Sequence, residues 1–455
     1  MWPSPKPSAN SDPRAFAWLA LAVCLAYANV LVAPFQFDDY KVIVHNPEVH
    51  SWGNWLAGLG HGIRSLLKAS YTLDWTLGLG TTGFHLSNLL IHLLNGWLVY
   101  RLSQHYYVRH SGLPVTLPLF VALLFVLHPA HSEAVSYLSG RSASLMTLCY
   151  LAGLLAYTHG RQQASALHLH LLTPLCFLAA LLCKETAITF PFALLLWERY
   201  ALVEQRNPCK AQWTSWALLL AAVLLFLFST AYQTHMARSA HFNTLGGNLA
   251  TQANGMLWLL QQWALPLWLN IDPDLPLYRH LFDAPWALLA TLALIVIAWR
   301  LRKLRPWWSF ALGWTMLHLL PLYVLLPRLD IANERQLYLV GWPLALALCI
   351  ELFRQMKADH ARIVMLTLLL AAGLLTAQRN LDYQSEVALW QATVEQSPNK
   401  ARVHNNLGHA YLLAGRDAEA ETAFISALRI DPLQPEALIN MKKLENKKAG
   451  AQPRP

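Results

Sequence analysis

Phe35-Gln36-Phe37-Asp38-Asp39-Tyr40 closes the first long apolar run of this 455-residue chain, Ala15 to Phe35. A run of that length suits a helix crossing a hydrocarbon core, which needs about 20 residues. Two adjacent carboxylates at its end, flanked by aromatics, are costly to place at a membrane boundary, where ionisable groups are functional candidates. The rest of the chain repeats the apolar theme: 55% of residues are hydrophobic and only 13% charged, against roughly 25% charged in soluble domains. The expected class is therefore an all-α, polytopic membrane protein.

Further apolar runs lie at about 84–103, 115–135, 141–160, 166–183, 186–203, 213–232, 284–300, 307–326, 337–353 and 361–377. With the first, they predict about eleven transmembrane helices, some tilted. Residues 251–270 are apolar and Trp-rich but interrupted, and read as an interfacial or re-entrant helix. Ala26-Tyr27-Ala28 resembles a signal-peptidase site, but the apolar run continues past it. The net charge of +9 comes from bases in short loops between runs, with Arg300, Arg302, Lys303 and Arg305 the strongest cluster. That is a positive-inside pattern and excludes a nucleic-acid footprint. It puts the N-terminus in the cytoplasm and, with an odd number of spans, the C-terminal region outside. The six cysteines form no CxxC pair and read as small core residues.

Four regions follow: a cytoplasmic tail, 1–14; a membrane domain, 15–380, whose first extracytoplasmic loop is 36–83; a helical-hairpin domain, 381–445; and a flexible tail, 446–455. Leu407, Gly408, Tyr411, Ala420, Phe424, Ala427 and Pro432 fall on the tetratricopeptide pattern, with His404 in place of its usual Trp. Pro398 and Pro432 are one repeat period apart, as are Trp390 and Phe424. One full repeat with flanking partial ones is short for a free-standing solenoid, so it should lean on the membrane domain or a protein partner.

The outer ends of the predicted spans gather the chain's polar residues. They are Asp38 and Asp39; His128, His131, Glu133 and Arg141; Lys184 and Glu185; Arg238; and Glu334 with Arg335. Such a set could bind an anionic head group and activate a hydroxyl. One carboxylate, Asp38 or Asp39, would accept the proton of an attacking hydroxyl. Arg and Lys would hold a donor phosphate and stabilise the leaving charge. Plainer roles stay open. Asp38-Asp39 could cap a helix, and Lys184-Glu185 and Glu334-Arg335 could be structural ion pairs. Arg238 could be solvated, and His128 and His131 could be hydrogen-bonded core residues instead of metal ligands.

Several segments in order resemble one family. They are Phe37-Asp38-Asp39 with Asn46; Phe84-His85-Leu86-Ser87-Asn88-Leu89-Leu90-Ile91-His92; His128-Pro129-Ala130-His131-Ser132-Glu133-Ala134-Val135 with Gly140-Arg141; Lys184-Glu185; and Glu334-Arg335-Gln336-Leu337-Tyr338-Leu339 ahead of the repeat tail. The chain resembles the transmembrane and tetratricopeptide-repeat (TMTC-type) O-mannosyltransferases and their bacterial relatives, in the GT-C glycosyltransferase superfamily. The resemblance implies a polyprenyl-phosphate sugar donor, an extracytoplasmic active site and the hydroxyl of an exported protein as acceptor; the short repeat tail and the lack of eukaryotic retention signals favour a bacterial inner membrane. It places the acid role on Asp38 and Asp39, and the polar motif positions on Glu133, Arg141, Lys184, Glu185, Glu334 and Arg335. It implies no metal cofactor, a divalent ion being the lesser alternative. Two departures stand out: animal members carry many more repeats, and Arg64-Ser65 stands where Arg-Pro is usual. The competing readings are a transferase acting on a glycolipid or polysaccharide, and a non-enzymatic membrane scaffold recruiting partners through its repeats.

Overall fold

Ala15, Leu19, Val23 and Ala26 recur at three- and four-residue steps, and the helix Pro13–Tyr27 buries that stripe. It packs against helices Gly80–Tyr107, Leu117–Leu127 and Ala358–Asp382. This computed structural model describes residues 13–59, 63–107, 113–202, 210–230, 233–234, 243–325 and 330–451. Among these residues the secondary structure is helical throughout, with no strand. Of the expected tails, 1–14 lies mostly outside them, whereas residues 446–451 continue the helix Pro435–Ala451.

The long helix Gly80–Tyr107 explains how polar residues are tolerated inside an apolar bundle. His85, Asn88, His92 and Asn95 share one face, and each meets a backbone carbonyl: Ala33 O at 3.1 Å, Val135 O at 2.8 Å, Val126 O at 3.0 Å and Ser144 O at 2.9 Å. The carbonyls of Ala33, Val126 and Val135 lie where neighbouring helices break and need side-chain donors, whereas that of Ser144 lies within the helix Arg141–Gln163.

Among the described residues, four helical segments are long and apolar enough to cross a membrane: Pro13–Val30, Pro306–Leu325, Glu334–Gln355 and Ala358–Asp382. A fifth is the pair Leu117–Leu127 and Pro129–Val135, bent by 57°. The bend falls at His128, which Pro129 forces out of the helical region (φ −75°, ψ 122°). The chain is thus a helical membrane protein; among the described residues length and composition single out up to five crossings and do not confirm the eleven expected. Leu167–Leu181 and Gln212–Leu227 are short, while Gly80–Tyr107 carries the polar face just described. The Trp-rich segment expected at 251–270 belongs to the helix Leu245–Ala264, where Thr251 to Met256 are all buried within the bundle.

At the C-terminus the helices Glu386–Gln396, Ala401–Leu413, Asp417–Ile430 and Pro435–Ala451 stack as successive antiparallel neighbours. Trp390, Val403, Leu407, Ala410, Ala420 and Phe424 fill their core. A Cβ at Gly408 would come within 2.5 Å of the Phe424 ring, so only glycine allows this helix crossing. Asp272 of the membrane domain receives Lys400 at 2.6 Å and the fork of Arg402, which also reaches Asp330 at 2.8 Å. The hairpins are therefore seated on the membrane domain.

Candidate active site

Asp38 and Asp39 sit in the turn after the first helix and have different surroundings. Asp39 is 1% exposed. One of its oxygens accepts the Gln36 N–H at 3.0 Å, and the other accepts the Ser139 N–H at 2.8 Å and the Ser139 hydroxyl. Burial pushes its pKa up to about 7, and these hydrogen bonds hold it from rising further. Asp39 therefore ties the turn to the loop at 136–140. A Cβ at Gly140 would lie 2.0 Å from the Glu133 carbonyl, so glycine lets that loop close onto the Glu133 backbone.

Asp38 is half-buried and faces a cavity of about 130 Å³. Its backbone N–H donates to the Tyr137 hydroxyl at 2.9 Å. Burial raises its pKa, and the nearby Arg335 cation partly offsets that. Arg64, Lys184 and Arg335 line the same cavity, with the hydroxyls of Tyr71, Ser139 and Ser142, the amide of Asn333, and Val42, Leu67 and Tyr323. One carboxylate thus shares an enclosed space with three cations.

Acids behind the cavity wall hold two of those cations. Glu133 accepts the Arg335 N–H at 2.9 Å and faces its guanidinium at 3.3 Å. Glu185 takes the fork of Arg64 at 3.0 to 3.2 Å. Arg64 has φ +63°, a left-handed conformation unusual away from glycine, directly before the helix Ser65–Leu77. The Leu66 N–H donates to the Leu182 carbonyl at 3.1 Å and pins this loop beside Lys184. Lys184 is extended and only 5% exposed.

The structure thus brings Asp38, Lys184 and Arg335 together, with Glu133 and Glu185 supporting them. Other expected site residues lie elsewhere. Arg141 is fully buried, paired with Asp74 at 2.6 Å and bonded to Asn88 and the Phe84 carbonyl. Its guanidinium also lies over the rings of Tyr71 and Phe84. His128 stacks on Trp263 and bonds its carbonyl at 3.0 Å, and His131 bonds the Phe125 carbonyl at 2.8 Å. Both belong to the core around the bend. Glu334 pairs with Arg379 at 2.9 Å, away from the cavity lining. Arg238 lies outside the described residues. Among the described residues, no three His, Cys, Asp or Glu side chains cluster as a metal site would require.

Sequence reasoning missed Arg64, Tyr71, Ser139, Ser142 and Asn333. Arg64 was visible only as a departure from an expected Arg-Pro. Ser139 and Ser142 flank the Gly140-Arg141 motif, and that adjacency was the available signal.

The chain is similar to protein O-mannosyl-transferase F38B6.6 of Caenorhabditis elegans, 24% identical over 90% of this chain and 61% of the relative. It is similar to Tmtc3 of Drosophila melanogaster, also named a protein O-mannosyl-transferase, at 27% over 95% of this chain and 56% of the relative. A third, Tmtc1 of Drosophila melanogaster, is 36% identical over 42% of this chain and 23% of its own length. The chain thus spans at most 61% of these relatives. No protein-family model matches the chain, and no solved structure does.

Proposed function

We propose that the chain is a GT-C type membrane glycosyltransferase. It moves a sugar from a polyprenyl-phosphate donor to a hydroxyl of an exported protein, on the extracytoplasmic side of a bacterial inner membrane. Mannose, the sugar in the relatives' names, is the first candidate. The supporting observation is the cavity that gathers Asp38, Arg64, Lys184 and Arg335 from segments far apart in the chain.

In this reading Asp38 is the general base. The acceptor oxygen attacks the anomeric carbon, its proton passes to Asp38, the bond to the phosphate oxygen breaks, and polyprenyl phosphate leaves. A positioned base contributes about 10²–10⁴-fold, and an acid pushed up by burial is closer to the pKa that task favours. Lys184 acts as a point charge on the phosphate, while Arg335 and Arg64 offer planar donors held in place by Glu133 and Glu185. Because those cations are fixed before the donor arrives, they stabilise the leaving charge with little reorganisation. Asp39 fixes the turn that carries Asp38.

The C-terminal hairpins act as a short tetratricopeptide module presenting the acceptor protein. The test is a comparison of glycosylated exported proteins from cells with and without the chain. Loss of a defined set of O-linked sugars supports the reading, and an unchanged set refutes it.

A further inference from the structure

Phe37, directly before Asp38, has φ +43°. Left-handed backbone at a non-glycine residue costs on the order of 1–3 kcal/mol and persists where surrounding structure over-determines it. The groups that hold it here come from the far end of the chain. The Phe37 ring packs edge-on against Trp390, centroids 4.9 Å apart and planes at 78°. Trp390 is itself 1% exposed in the core of the C-terminal hairpins. The Glu386 carboxylate lies beside the Phe37 backbone N–H. One residue earlier, the Gln36 side-chain amide donates to the Tyr383 carbonyl.

We infer that Trp390 and Glu386 are positioning residues for the transfer reaction: they hold Phe37 in its left-handed turn and so aim the Asp38 carboxylate into the cavity. The inference rests on the reading of Asp38 as base. It makes the C-terminal hairpin a part of the active site. With the ring contact and the neighbouring carboxylate's charge gone, Phe37 relaxes to negative φ, and the following Cα–Cβ bond swings away from the cavity.

Full-length protein in detergent tests this, with polyprenyl-phosphate mannose as donor and the host's exported proteins as acceptor pool. Trp390→Ala is expected to lower kcat at least tenfold with the donor KM within about twofold, and Trp390→Phe to restore most of the rate. Glu386→Gln, at the half-buried edge of the hairpin, is expected to give the same split without opening a core cavity. In a Phe37→Ala background, where no ring remains to hold, Trp390→Ala should cost nothing more. Wild-type kcat in both Trp390→Ala and Glu386→Gln, or a Trp390→Ala loss that adds in full to Phe37→Ala, overturns the inference. A fluorine label on Phe37 gives an activity-free arm: its NMR resonance should shift and broaden in Glu386→Gln, and an unchanged resonance also overturns it. If the wild type transfers no sugar while the resonance shifts, the proposed function fails and the hold on the turn stands.

Discussion

The Arg335 backbone N–H donates to one oxygen of Glu133 at 2.9 Å, while its guanidinium faces the other at 3.3 Å. A single buried acid thus fixes both ends of one of the cavity's cations. Glu133→Gln is expected to loosen Arg335 and raise the donor KM. It should also lower stability, since breaking a buried pair costs about 3–5 kcal/mol. Donor titration and thermal unfolding in detergent check both.

Arg141 and Asp74 form a second pair, 2.6 Å apart with side chains 0% and 2% exposed. Arg141→Ala is expected to destabilise strongly by leaving Asp74 buried and uncompensated. Arg141→Met combined with Asp74→Leu should recover much of that loss. The donor KM of whatever folded protein remains should stay near wild type, which separates this residue from the cavity cations.

Lys184 lines the cavity beside Asp38. Lys184→Met removes a charge-assisted contact to the donor phosphate, worth about 1.5–3 kcal/mol. A rise of roughly ten- to a hundredfold in donor KM is expected, read from initial rates over a donor titration.

Asp39 gives a pH dependence whose sign follows from linkage. Its folded pKa, about 7, lies above its ordinary value of 3.8. Between these values the folded state holds more protons than the unfolded one, so Asp39's contribution to stability falls as pH rises and levels off above about 7. The wild type is expected to lose more stability from pH 5 to pH 8 than Asp39→Asn, by thermal unfolding at both values.

Helical class and the hairpin tail were legible because they rest on local periodicity. Leu407, Gly408 and Phe424 fall on the repeat pattern and pack together. The site was legible in part. Asp38, Lys184 and Arg335 stand beside long apolar runs, where a charge is conspicuous. Which charges face the cavity depends on partners distant in sequence: Asp74 neutralises Arg141, and Glu185 anchors Arg64. No spacing rule shows either pairing. Ser139 and Ser142 are too ordinary to stand out until the fold sets them beside Asp38. Which apolar runs cross a membrane was not legible, because an apolar run shows neither a break such as His128-Pro129 nor a polar face turned inward.

Single-turnover transfer from polyprenyl-phosphate mannose by Asp38→Asn bears most directly on the mechanism. A loss of about 10²–10⁴-fold in rate, with donor affinity unchanged and the protein folded, is expected if Asp38 takes the acceptor's proton. Transfer at the wild-type rate by that variant would contradict it.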